Sequence, residues 1–318
     1  MGWTTKIIEG AIDVTKYKTV TEIDYWLKSL KYAYAARSGV GYGRAGDKFY
    51  IVAGRNGSTK YSGNIEYDIK KKTYQLKASL PVSGRYGQAS AVVNNRLYLF
   101  CGTDGSNYFD DTLEYDPSSD SWASKNPIPT GGRKFAVAAV VNNKVYLIGG
   151  DNGSSYLDEM LEYDPSTDSW SSKNPIPTGG RRIAAAAAVN NKVFLIGGEK
   201  SDGLTDEMLE YDPSTDSWSS KANLPTGAKR GACAVEFEEK IFILGGRKSE
   251  GLTDEVIVYD PKEDSYEIRY PMQAEGREMF AAGVYEGRIL VSSGEGSSGT
   301  LNDMWEYYLK LYGEIKEI

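Results

Sequence analysis

The sequence predicts an all-β fold made of six repeated four-stranded antiparallel units. Three observations carry that expectation. A step of 48 residues relates Trp26, Tyr74, Trp122, Trp170, Trp218 and Tyr266. The stretch DEMLEYDPSTDSWSSK stands at 158–173 and returns unchanged at 206–221. Thirty-five glycines and 24 tyrosines spread among short apolar runs are the composition of strands joined by tight turns. A chain of 318 residues with 40% hydrophobic and 25% charged content can bury the core that such an array needs.

The elements of one unit follow in order. Strand A opens behind an arginine and is built from small residues, as in IAAAAAV at 183–189 and GACAV at 231–235, which suits a place where several chains crowd together. Asn142-Asn143 then interrupts AVAAVVNNKVYLIGG, and asparagine tolerates the left-handed conformations of a two-residue hairpin turn. Strand B ends in a pair that recurs as Ala53-Gly54, Cys101-Gly102, Gly149-Gly150, Gly197-Gly198, Gly245-Gly246 and Ser293-Gly294. Strand C is MLEYD, and PSTDS supplies the turn into a strand D that begins near Trp170. Small residues on strand A and bulky ones on later strands make a wedge, and wedges with Trp and Tyr between them pack into a ring. The architecture is a propeller.

Closure is also legible. The last unit has no fourth strand after Tyr307, whereas TEIDYWLKS around Trp26 has the strand D pattern. The N-terminal strand is therefore expected to complete the C-terminal blade. The expected division is an N-terminal segment 1–18, a single domain 19–308 and a tail 309–318.

The pair closing strand B, Tyr163 six residues before Ser169, the Trp that follows and the Arg opening the next unit together resemble the kelch repeat. The resemblance spans roughly residues 20 to 308 and implies a six-bladed β-propeller.

Composition narrows the function. A net charge of −7 leaves no basic excess to neutralise phosphates, so nucleic acid is not an expected partner. No apolar run suits an export signal or a membrane span, and the expectation is a soluble, cytoplasmic chain without a membrane partner. Histidine is absent, which removes the commonest general base and most transition-metal sites. No cofactor or metal is expected, and a copper enzyme like galactose oxidase is excluded. Cys101 and Cys233 sit in apolar segments and read as small buried hydrophobes. Asp110, Asp158, Asp206 and Asp254 recur just before strand C and are expected to cap loops through their side chains.

Up-and-down strands place the D–A and B–C connections at one end of the ring, the upper face. Arg37, Arg85, Arg133, Arg181, Lys229 with Arg230, and Arg277 open the six A strands and are expected to ring the channel mouth. Arg55, Thr103, Asp151, Glu199, Arg247 and Glu295 follow the strand B pairs at the same end. The candidate ligand-binding residues are Arg37, Arg55, Arg85, Arg133, Asp151, Arg181, Glu199, Arg247, Arg277 and Glu295, a mixed-charge funnel for a protein, an acidic peptide or an acidic sugar. Among them Arg55, Asp151, Glu199, Arg247 and Glu295 break the repeat, as a specific ligand requires.

The resulting expectation is a non-enzymatic binding module using the upper face, with no catalytic residue assigned. The alternative is an enzyme similar to the sialic acid mutarotases, six-bladed kelch propellers for which an Arg would hold the carboxylate and Glu199 or Glu295 would move protons. A further alternative is a structural part of a larger assembly, with alike blades presenting equivalent surfaces.

Overall fold

The computed structural model describes residues 24–28 and 34–309. The expected N-terminal segment 1–18 and residues 310–318 of the expected tail lie outside the described residues. Six four-stranded antiparallel sheets form blades I to VI, at 41–77, 89–125, 137–173, 185–221, 233–269, and 281–309 with 24–28. Blade III shows the unit: Val137–Val141 (strand A), Lys144–Ile148 (B), Met160–Asp164 (C) and Ser169–Lys173 (D). The A–B hairpin turns on Asn142 and Asn143 at φ 51° and 61°, the left-handed pair that matches the twist of the strands. Blade VI takes its strand D from the other end of the chain, Asp24–Lys28 pairing antiparallel with Met304–Leu309 so that Trp26 stands opposite Tyr307.

The strand C tyrosines fill the spaces between blades. Tyr67, Tyr115, Tyr163, Tyr211, Tyr259 and Tyr307 are fully buried. Each packs on the ring that opens strand D of its own blade, with centroids 4.6–5.0 Å apart. In blade III the Tyr163 hydroxyl donates to Asp168 at 2.8 Å, and the same carboxylate accepts the Asn126 amide of blade II at 2.9 Å. Trp170 Nε1 donates to the Asn126 carbonyl at 3.0 Å. One peptide at the end of blade II is thus clasped from both sides by blade III, and Asp120, Asp216 and Asp264 repeat the clasp.

Main-chain hydrogen bonds complete the ring. The residue two after each strand-opening cation lies at φ between 52° and 69°, at Gly39, Gly87, Phe135, Ile183, Gly231 and Met279. Each of these amides donates to the same position of the preceding blade, Gly87 to Gly39, Phe135 to Gly87 and so on, until Gly39 donates to Met279 at 3.0 Å. Six bonds close a circle at the neck of the channel. A second circle links the residue ending each strand B pair to the carbonyl of the next blade's cation, and it closes where Gly294 donates to Arg37 at 3.0 Å. Gly150, at φ 107°, shows why this position is glycine, since a Cβ would stand 3.0 Å from the Lys134 carbonyl.

Candidate functional site

The six strand-opening cations do not ring the mouth. Arg37, Arg85, Arg133, Arg181, Lys229 and Arg277 are all buried. Each of the four arginines at 37, 85, 181 and 277 donates to the carbonyl at the end of its own strand B, at 3.0–3.2 Å. Arg133 makes the equivalent contact with Gly149 at 3.4 Å. Their charge is met at the start of strand C, where Arg85 pairs with Asp111, Arg133 with Glu159, Arg181 with Glu207, Lys229 with Glu255 and Arg277 with Asp303. Arg37 donates to the carbonyls of Ala53 and Gly63 and lies over the Tyr61 ring. A guanidinium held in this way braces the B–C loop and does not meet a ligand in the channel. Arg37, Arg85, Arg133, Arg181 and Arg277 are therefore corrected from ligand-binding candidates to loop braces.

The remaining candidates do come together. In every blade the residue after the brace pairs across a short two-stranded extension with the residue after the strand B pair: Ser38 with Arg55, Tyr86 with Thr103, Lys134 with Asp151, Arg182 with Glu199, Arg230 with Arg247 and Glu278 with Glu295. These extensions surround the mouth. From blade III to blade VI their side chains form one alternating chain of charge: Lys134 to Asp151 at 3.6 Å, Asp151 to Arg182 at 2.8 Å, Arg182 to Glu199 at 3.3 Å, Glu199 to Arg230 at 2.5 Å, Arg230 to Glu278 at 3.3 Å and Glu278 to Arg247 at 2.5 Å. Burial opposes the charge of Glu199, but the hydrogen bonds from Arg182 and Arg230 outweigh it and hold its carboxyl below the usual range.

Blades I to III differ. Arg55 lies 4.4 Å over the Tyr86 ring, Tyr86 meets Phe135 at 5.9 Å, and Lys134 stands 5.0 Å over Tyr108. The mouth therefore has an ionic arc and an aromatic arc. Sequence reasoning missed Tyr86, Lys134, Arg182 and Glu278 as mouth residues. Their signal was the column 38, 86, 134, 182, 230, 278, in which Ser, Tyr, Lys, Arg, Arg and Glu replace one another while the adjacent brace column stays cationic. Glu295 stands across from Glu278 in its extension, and Thr300 donates to it at 3.4 Å.

At and just below the neck the channel encloses about 120 Å³, lined by the neck residues, by Ala136, Ala184 and Ala232 just ahead of the A strands, and by strand A residues such as Ala138 and Ala186. Cys233 borders it, and burial pushes its thiol up to about 12, as it pushes Cys101 to about 11. Neither is a reactive thiolate. The four aspartates before strand C cap the loops through their main-chain carbonyls in every case, and through the expected side chain at Asp206, whose Oδ1 accepts from Asn223 at 3.2 Å. Asp110, Asp158, Asp206 and Asp254 accept the amides of Ile128, Ile176, Leu224 and Met272 at 2.7–2.9 Å. Among the described residues no group of three or more His, Cys, Asp or Glu is placed to hold a metal ion. No helix there is long and apolar enough to cross a membrane.

The family model for the KLHDC2/KLHL20/DRC7 Kelch-repeats domain matches residues 39–230, and a Kelch motif model matches residues 228–273. No curated protein matches the sequence. Among solved structures, that of YjhT is similar with a TM-score of 0.74 and 21% identity, covering 87% of this chain and 95% of that one. At that identity the likeness is one of fold. The repeat, the blade geometry and the matched models agree, and the chain belongs to the kelch-repeat proteins.

Proposed function

We propose that this kelch propeller is a non-enzymatic protein-binding module whose upper face, carrying the D–A and B–C loops, docks its partner. One observation carries the reading. Blades III and IV are near-duplicates, identical over the sixteen residues 158–173 and 206–221, yet the seven preceding positions, 151–157 against 199–205, differ at every place. Those seven are the B–C loop. The A–B and C–D turns of the two blades, at the opposite end, are identical. Elsewhere in 137–173 and 185–221 the two blades differ only at Val137/Ala185, Val140/Ala188 and Tyr146/Phe194, so divergence is concentrated at the upper end, as a surface shaped to one partner requires and a scaffold does not. The aromatic arc supports the same reading, because Tyr and Arg supply much of the binding energy of protein interfaces.

An acidic-sugar enzyme would need a proton donor beside a carboxylate-binding arginine. Glu199 is held ionised between two arginines, which favours a binding surface over general acid chemistry at this position. The test starts from affinity capture on the immobilised protein, followed by titration of each purified candidate. A true partner loses at least tenfold in affinity with Arg55→Ala/Tyr86→Ala and keeps it with Lys262→Ala on the opposite face. Loss that follows only the opposite face, or a rise in melting temperature with an acidic sugar but with no protein, overturns the proposal.

A further inference from the structure

The lower face, which carries the A–B and C–D turns, is the end that the partner reading leaves unused. Strand A presents one side chain per blade at the lower rim of the channel, and the 48-residue step identifies them as Arg44, Val92, Val140, Ala188, Glu236 and Val284. The ring holds one cation, one carboxylate and four apolar residues. Arg44 and Glu236 are exposed, and the four apolar members are partly exposed. Blade VI, with Val284, lies between the two charged blades I and V.

We infer that this face is a self-association surface, on which a second copy of the chain docks face to face about a twofold axis running along blades VI and III. A sixfold ring can mate with its own copy in six twofold orientations. In the orientation with the axis along blades VI and III, blade I lies on V, II on IV, III on III and VI on VI. Arg44 then meets the second copy's Glu236 and Glu236 meets its Arg44, while Val92 meets Ala188 and the two central valines, Val140 and Val284, meet their own copies. In the other five orientations Arg44 falls on Val, Ala or another Arg44. The ring is thus self-complementary in one orientation, as an isologous interface demands.

A recess of about 250 Å³ joins ring members Val140, Ala188 and Glu236 to Val189, Glu239 and the turn asparagines, and its carboxylates suit the head of an incoming arginine. At the outer rim the C–D turn of blade I reads Asp68-Ile69-Lys70-Lys71-Lys72, a net +2, whereas blade V has Asp260-Pro261-Lys262-Glu263-Asp264, a net −2 that blades II to IV share. Lys70, Lys71 and Lys72 lean on Asp47, Asp68 and Glu306, and the Lys71 side chain is 77% exposed. Blade I is therefore cationic at both radii and the twofold axis brings it over anionic blade V twice, but at the outer rim blade V is no more anionic than blades II to IV, so the inner ring selects the orientation.

The experiment is sedimentation of the full chain across about two decades of concentration, at low and at high salt. The wild-type chain is expected to dimerise reversibly and to dissociate as salt is raised. Arg44→Glu alone and Glu236→Arg alone each place like charges at both contacts and should weaken association at least tenfold. An equimolar mixture of the two variants restores both contacts and should dimerise like the wild type, and the double variant Arg44→Glu/Glu236→Arg should pair with itself. Melting curves check that each variant is folded, and if one single variant is not, the double variant against itself supplies the readout. A wild-type chain that stays monomeric at every concentration in low salt overturns the inference. So does a dimer indifferent to both reversals, or a mixture that remains monomeric.

Discussion

The buried cations show how far a single side chain can mislead. Their recurrence was plain in the sequence, and so was their place at the upper end of strand A, but the direction in which each points was not. A residue just before a strand can turn towards solvent or back into the blade, and the carboxylate that decides the matter lies 26 positions further on, as Arg277 and Asp303 illustrate. Arg277 donates to both oxygens of Asp303, at 2.8 and 3.0 Å, with neither residue open to water. Burial alone would push the Asp303 carboxyl up, yet the guanidinium holds it below its usual range. Arg277→Ala leaves that charge buried and unpaired, and should cost about 3–5 kcal/mol. Urea unfolding of the variant against the wild type measures it. The mouth residues were half legible for a related reason. Arg55, Asp151, Glu199 and Arg247 stood out as breaks in a repeat, whereas their partners Tyr86, Lys134, Arg182 and Glu278 sat beside an invariant cation and looked like its flank.

At the scale of the strand, the reading was close to the structure because two-residue alternation and Asn-Asn turns are local signals. The expected third strand and the fourth beginning near Trp170 are Met160–Asp164 and Ser169–Lys173. The contacts that join one blade to the next were not local, and the recurrence of Asp120, Asp168, Asp216 and Asp264 did not name their partners. The clasp on Asn126 needs an aspartate 42 residues away at φ 49°, a left-handed position that the sequence shows only as one more turn residue. Asp168→Ala removes the acceptor for both the Tyr163 hydroxyl and the Asn126 amide, and should destabilise the fold by about 2 kcal/mol. Thermal unfolding tests this, with Trp170 fluorescence reporting the blade II–III boundary. A smaller loss than that of an exposed Asp→Ala change elsewhere would show that the clasp carries no energy. Blade V departs from blades II to IV in its A–B turn, where Glu238 and Glu239 take φ values of 50° and 60° that those three blades give to asparagine. Glutamate is the poorer residue there.

The molecule as a whole titrates at its edges. Burial pushes the carboxyls of Glu199, Glu207, Glu255 and Asp303 up, but neighbouring cations, joined at Glu207 by the Thr178 hydroxyl, outweigh it and hold them below their usual range. A carboxyl depressed in the folded state contributes its full stabilisation above its unfolded value, about 4, and loses it as the pH falls through the folded value. Without a single histidine, no side chain of ordinary pKa changes charge between about pH 5 and 8. Melting temperature should therefore be level across that interval and fall steeply below about pH 4, which a series of melts checks. A broad maximum centred near neutrality would contradict it. Six units, a ring and its handing of one strand from chain start to chain end were all visible in the sequence. The two circles of hydrogen bonds were not: the first runs through Gly, Phe, Ile and Met alike, and the recurring glycine of the second marked a position without naming its partner.

Those circles have a consequence for the order of the chain. Both run through every blade alike, and the bonds that close them between blades VI and I are the same as those between the other blades. With its present ends tethered by a flexible linker, the chain can be reopened at any A–B turn as a circular permutant that keeps both hoops whole. A cut at the neck would sever one. In this molecule the numbering has a beginning, but the structure does not.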